Sequence, residues 1–266
     1  YFVWLDADDE YNPEFLEKMI AFTIENNLDL AFCGTEYMNY DGSSKFDTPP
    51  KTMVFEGEGL VDYFPVYHKY ATRLWGSIHS LRVFVTVNSD KELIEKKRPV
   101  SNFGDCIILL KELQMVRRAG IYAERLHKYY LYPGQLTSRY DNNWFLSMCS
   151  LQKKSREFLL SYGPLSKANE DYLWVRFLVW LKYILPRIQN ADVSAQIKIN
   201  DFLKIFSDKR TKALIALNWK VVGIYSDKEE FLCEVYDWVL EQKTDDLQSA
   251  RRLTRILEKS LEAANA

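Results

Sequence analysis

The sequence predicts an α/β portion followed by an all-helical C-terminal part. Three observations lead there. The chain opens on a continuous apolar run, Tyr1-Phe2-Val3-Trp4-Leu5, of the kind a buried strand carries. A helix signal and a second apolar run, Leu28–Gly34, follow it, and strand–helix–strand order favours a parallel sheet. Glycine and proline punctuate turns, and residues 1–140 hold eight of the ten glycines and six of the eight prolines. The boundary falls near Tyr140–Asn143, dividing the chain into 1–140 and 141–266.

Each element follows from local chemistry. Asn12-Pro13-Glu14 starts a helix through Asn26, with Asn12 as N-cap and Pro13 at the first helical position. Residues 41–59 read as a polar loop containing Gly and Pro. Leu60–Tyr70 is helical at its start, and Leu81–Val87 reads as helix or strand. Asp105–Arg118 is an amphipathic helix capped by Asn102 or Asp105, and Ile121–Tyr132 contains a strand. Beyond the boundary, helices are expected at 142–162, 168–189, 194–207, 209–221 and 227–242, with a final one near 245–262. In the second of these, Leu173, Phe177, Trp180, Leu181 and Ile184 recur at helical spacing, the signature of a core face.

Composition narrows the function classes. The chain has 266 residues, 47% hydrophobic and 27% charged, the balance of a globular protein rather than a disordered or fibrous one. Lys+Arg number 35 and Asp+Glu 37, a net charge of -2, which argues against a dedicated nucleic-acid partner. Cys33, Cys106, Cys149 and Cys233 are far apart and lack zinc-ligand spacing, so reduced thiols in a cytoplasmic setting are expected. No apolar run is long enough to span a bilayer, and no signal peptide is visible. Because the chain starts directly in an apolar strand, it is expected to be the later part of a longer protein.

The most informative stretch is Leu5-Asp6-Ala7-Asp8-Asp9-Glu10-Tyr11. Three aspartates follow an apolar strand, at the edge where α/β sheets bind ligands. Crowded carboxylates repel one another, and a divalent cation offsets that repulsion. Hard cations such as Mg²⁺ or Mn²⁺ select carboxylate oxygen and keep positions open for substrate phosphates. The first 60 residues carry 13 acidic and three basic residues, so local Lys or Arg partners are scarce. Two other readings stand beside this one. Asp8, Asp9 and Glu10 suit the N-terminus of the Pro13 helix. Asp6, Asp8, Glu10, Asn12 and Glu17 fall at EF-hand positions, but Tyr11 replaces the glycine and Pro13 interrupts the loop.

The segment YFVWLDADDEYNPEFLEKM resembles the metal-binding segment of family-two glycosyltransferases with the Rossmann-like GT-A fold. Later stretches fit that family in order. Leu74-Trp75-Gly76 resembles its W-x-K segment, and Asn102-Phe103-Gly104-Asp105 its G-E-D motif. His127-Lys128-Tyr129-Tyr130 through Ser138 resembles the segment that closes the site. The resemblance covers about residues 1–140 and implies an incomplete GT-A portion, because the nucleotide-binding half that precedes the aspartates in the family does not occur before Tyr1.

The resemblance also implies a chemistry. A nucleotide-diphosphate sugar is the donor, and Mn²⁺ or Mg²⁺ bridges its phosphates. Asp8 holds the cation; Asp6 supports it or the donor ribose; Asp9 orients the sugar; Arg139 approaches the diphosphate. Asp105 is the general base that deprotonates an acceptor hydroxyl, giving inversion at the anomeric carbon. Trp75 stacks on a glycan or lipid-linked acceptor. The family setting implied is bacterial polysaccharide biosynthesis. The chain departs from the pattern where Gly104 directly precedes Asp105 and where Ser77, near His79, replaces the usual Lys. Asp105 also reads as a helix N-cap, Trp75 as core, His127 as structural and Arg139 as a solvated loop residue.

Residues 141–266 show no chemical constellation. They read as a helical appendage, with Asp245, Asp246, Arg251 and Arg252 on solvated faces. Trp174, Trp180, Lys182, Tyr183 and Arg187 also suit a peripheral membrane or acceptor-docking helix. The alternative function is a non-catalytic helical interaction module with a degenerate glycosyltransferase-like portion.

Overall fold

The computed structural model describes residues 1–88, 103–135, 139–217, 228–241 and 246–265. The chain divides into two compact units, residues 1–138 with 149–169, and residues 139–148 with 170–266. Asn102, Ser138, Asp245 and the whole of 218–227 lie outside the described residues.

The first unit is built on a seven-stranded sheet. Its strands are β1 (Phe2–Val3), β2 (Glu10–Tyr11), β3 (Leu30–Asn39), β4 (Ser44–Asp47), β5 (Met53–Glu56), β6 (Ser77–His79) and β7 (Arg118–Leu131). The main order is β1-β6-β3-β7-β2, with β4 paired to β3 and β5 to β7. The sheet is mixed, not parallel as strand–helix–strand order suggested: β3 and β7 run parallel, while the other paired strands are antiparallel. Only β3 and β4 form a direct hairpin; β1, β2, β5 and β6 meet their antiparallel partners from distant parts of the chain, so their direction is set by long-range pairing.

Two of these strands, β4 and β5, occupy the segment read as a loop. Ser44, Lys45 and Phe46 are all exposed, so β4 lacks the apolar alternation that marks a strand in sequence. The opening run is also shorter than expected. Only Phe2 and Val3 form strand, opposite His79 and Ile78, and Tyr1 and Leu5 are about half exposed. Helix α1 spans Phe15–Glu25, two residues later than the Pro13 start, because Asn12 makes a turn: its side chain accepts from the Glu14 N–H at 3.2 Å and its carbonyl from Phe15 at 2.8 Å.

The core of this unit joins α1 to the sheet through Phe15, Met19, Phe22, Leu28, Ala31, Cys33, Ile78 and Leu126. Short helices α2 (Gly59–Asp62) and α3 (Phe64–Tyr67) follow β5, and α4 (Leu81–Asn88) follows β6. Helix α5 (Gly104–Leu113) leads into β7. The long β3–β7 ladder shifts register on both sides of Gly34. A Cβ at Gly34 would stand 2.7 Å from the Asp47 carbonyl and 3.0 Å from that of Glu124, so only glycine lets three backbones meet there.

The helical remainder follows the sequence closely: α6 (Trp144–Leu160), α7 (Lys167–Gln189), α8 (Ala195–Ser207), α9 (Lys209–Ala216), α10 (Lys228–Glu241) and α11 (Leu247–Asn265). Ser194 caps α8 through the Ile197 N–H, and Asp208 caps α9 through the Arg210 N–H. The second unit's core takes Leu173, Phe177, Leu181 and Ile184 from α7 and Leu253 and Leu257 from α11. Phe202 stacks on Trp238 at 4.4 Å between ring centres. Among the described residues no helix is long and apolar enough to cross a membrane.

Candidate active site

The acidic stretch forms the connection between β1 and β2. The Asp9 N–H donates to the Asp6 carbonyl at 3.1 Å, closing a turn that gathers the three aspartates. Strand β2 then pairs with β7, Tyr11 opposite His127, and β7 supplies most of the loop's polar partners. Asp9 is buried; one carboxylate oxygen accepts from the Tyr130 N–H at 3.3 Å. The other lies 3.2 Å from His127 Nε2, close enough to pair but not aligned for a hydrogen bond. Asp8 accepts from the Tyr132 hydroxyl at 2.7 Å, and Glu10 from that of Tyr130 at 2.9 Å.

Charge accumulates here. Burial raises the pKa of Asp6, the Asp9 and Asp8 charges raise it further, and His127 opposes them. Asp105 stands in the first turn of α5 and joins the same cluster. Burial raises its pKa, the Asp6 carboxylate adds to the rise, and the Leu74 N–H, which donates to it, works the other way. The Asp105 side chain therefore accepts from Leu74 instead of capping its own helix, where Phe103 is the N-cap residue. Neither Asp6 nor Asp8 has a Lys or Arg partner among the described residues. No group of three or more His, Cys, Asp or Glu converges as a metal cage among them either. What remains is a pair of exposed carboxylates with two more beside them, a donor set that fits a hard cation completed by phosphate oxygens.

Trp75 sits next to this cluster. Trp4 bridges to it, and its indole stacks on His127 at 4.4 Å and on Tyr129 at 5.1 Å. The Arg73 guanidinium carbon is 4.6 Å from its ring centre, and the same group bonds the Tyr37 hydroxyl and, at 3.1 Å, Asp47. Trp75 is half-buried, so part of its ring is committed to the aromatic cluster. Gly76 follows at φ +67°, a left-handed turn that lets the chain reverse into β6.

The departure at Ser77 has a structural role. Ser77 Oγ donates to the Leu74 carbonyl and lies 2.7 Å from His79 Nε2. His79 Nδ1 lies 2.6 Å from Glu112 Oε2, and all three residues are completely buried. Glu112 is on α5, as is Asp105, so the same helix is tied to the Leu74–His79 segment at both ends, by Asp105 at Leu74 and by Glu112 at His79. Sequence reasoning found Ser77 and His79 but missed Glu112 and Arg73. A buried Glu at the foot of an apolar helix was the available signal, and its match in type to a nearby His could have suggested the pair.

Arg139 is exposed and falls in the second unit, and Asp6, Asp8, Asp9, Asp105 and Trp75 fall in the first. Residues 1–85 match the family described as glycosyl transferase family 2. The matched segment holds the three loop aspartates, Arg73, Trp75, Ser77 and His79; Asp105, Glu112 and the closing strand lie beyond it. The mixed α/β unit and helical remainder agree with the incomplete GT-A portion and helical part that the resemblance implied. No curated protein matches the chain. Solved structures similar to this chain include three of S. aureus TarS 1-349. The complex with UDP-GlcNAc is 15% identical, TM-score 0.40, over 99% of this chain and 67% of that one. The complex with UDP is 13% identical, TM-score 0.35, over 98% and 62%. The third, TarS 1-349 without a named ligand, is 14% identical, TM-score 0.39, over 99% and 66%.

Proposed function

We propose that this chain carries the cation-binding and acceptor-activating part of a glycosyltransferase that moves a sugar from a nucleotide-diphosphate donor to an acceptor hydroxyl, with inversion. The observation that supports it most is the placement of Asp6, whose carboxylate senses Asp8 and Asp9 on one side and Asp105, far along the chain, on the other, without a Lys or Arg among the described residues to neutralise Asp6 or Asp8. Such repulsion is costly in a purely structural cluster and useful where a cation and diphosphate enter.

Asp8 and Asp6 are the proposed holders of Mn²⁺ or Mg²⁺. When bound, that cation supplies Lewis acidity toward the leaving diphosphate. Asp9, fixed by Tyr130 and His127, is rigid enough to orient the donor sugar. Asp105 takes the proton from the acceptor hydroxyl, and its raised pKa makes it a stronger base than an ordinary aspartate. The free part of the Trp75 ring offers a flat surface to an acceptor sugar. The acceptor is a glycan or lipid-linked hydroxyl, and peripheral membrane contact through the helical part belongs to the same reading.

The test uses the whole chain. Mn²⁺ raises the melting temperature of the wild type, and the rise is lost in Asp8→Ala. UDP binding measured by calorimetry is stronger with Mn²⁺ than without it. Absence of both effects would leave the non-catalytic helical module as the better account.

A further inference from the structure

The second unit contains a cleft of about 910 Å³, and five of the eight residues that line it are cationic. Arg251, Arg252, Arg255 and Lys259 line it from α11, and Lys212 from α9. The five cations have no acidic partner among the described residues. Arg251, Arg255 and Lys259 follow one another at i,i+4 spacing, where like charges destabilise a helix. All five are exposed, and the opposite face of α11 is spent on the core through Leu253 and Leu257, both fully buried.

We infer that this cleft binds a flexible phosphate-bearing chain with at least two phosphoryl groups. Arginine is the side chain whose planar fork matches phosphate oxygens two at a time, and three of the five cations are arginine. From Arg251 to Lys259 the helix rises about 12 Å, which is longer than a single phosphate can bridge. Lys212 faces these residues from a different helix, so the cations surround a ligand instead of lying on a flat surface. A bilayer-bound helix sets large apolar side chains beside its cations. Here the one apolar lining residue, Ile256, is half-buried, and that disfavours a membrane. Bound phosphoryl groups would also remove the repulsion along α11, so binding stabilises the unit. The inference is independent of the proposed glycosyl transfer.

Calorimetry of the whole chain with sodium tripolyphosphate, and separately with phosphatidylglycerol vesicles, tests it. Tripolyphosphate is expected to bind, more weakly as salt rises, and to raise the melting temperature. Its affinity should fall at least about tenfold in the double variant Arg251→Ala, Arg255→Ala, since each lost charge-assisted contact is worth roughly that much. Both replacements are exposed and favour helix, so the ligand-free variant should melt no lower than the wild type. No binding of tripolyphosphate, equal binding by wild type and variant, or binding of vesicles alone would overturn the inference.

Discussion

His79 Nδ1 and Glu112 Oε2 stand 2.6 Å apart in a place where neither side chain touches solvent. On the other side of the ring, His79 Nε2 lies 2.7 Å from Ser77 Oγ, whose hydroxyl donates to the Leu74 carbonyl. The pair fastens α5 to β6 and so fixes where Asp105 meets the loop aspartates. Removing one partner strands a buried polar group. His79→Leu and Glu112→Leu should each destabilise the fold by about 3–5 kcal/mol. The double replacement should cost less than the sum of the two, because neither group is then left unpaired. Denaturant unfolding of the four proteins checks this; strictly additive losses would show that the pair is not coupled.

The carboxylate cluster makes a prediction about titration. Asp105 is held above its usual range by burial and then by Asp6. Removing the Asp6 charge favours the ionised form of Asp105, so Asp6→Asn should lower the Asp105 midpoint in an NMR titration of the metal-free chain. The corresponding stability effect has a definite sign. A carboxyl whose folded pKa is raised contributes stability below its unfolded value, near 3.9. That contribution is lost as pH rises through the folded value. The wild type should therefore lose more stability than Asp6→Asn as pH climbs out of the acid range. An unmoved Asp105 midpoint would mean that the two groups do not sense each other.

The aspartates and Asp105 were legible in sequence because charge clustering after an apolar run, and the order of short motifs, are local signals. The helical remainder was legible for the same reason: Leu173, Phe177, Leu181 and Ile184 announce their face by spacing alone. The mixed sheet was not. Strand direction is set by long-range pairing, and the hinge is Gly34, whose lack of a side chain admits two other backbones that no local pattern reveals. Lys45 and Phe46 on β4 are exposed, so that strand carries no apolar alternation to read. The Arg73 and Glu112 contacts were hidden because each partner lies tens of residues away in the chain.

Asp29 gives the last prediction. It stands just before β3, and its carboxylate accepts from the Arg117 N–H at 2.8 Å and from Arg82 at 2.7 Å. Its backbone joins the same corner, the carbonyl accepting from Ser80 at 2.7 Å and the N–H donating to Arg118 at 2.9 Å. Burial alone would raise the Asp29 pKa, but the Arg117 N–H and Arg82 outweigh it and hold the group below its usual range. A depressed folded pKa contributes stability above the unfolded value, near 3.9. That stability is lost as pH falls toward the folded value. Asp29→Asn keeps the shape and removes the charge, so it should cost about 1–2 kcal/mol at neutral pH. The difference from wild type should shrink as both are brought into acid, where the aspartate is itself protonated. Unfolding curves at pH 7 and near pH 3 read this directly, and a penalty that stays constant across that interval would assign the loss to altered packing instead of charge.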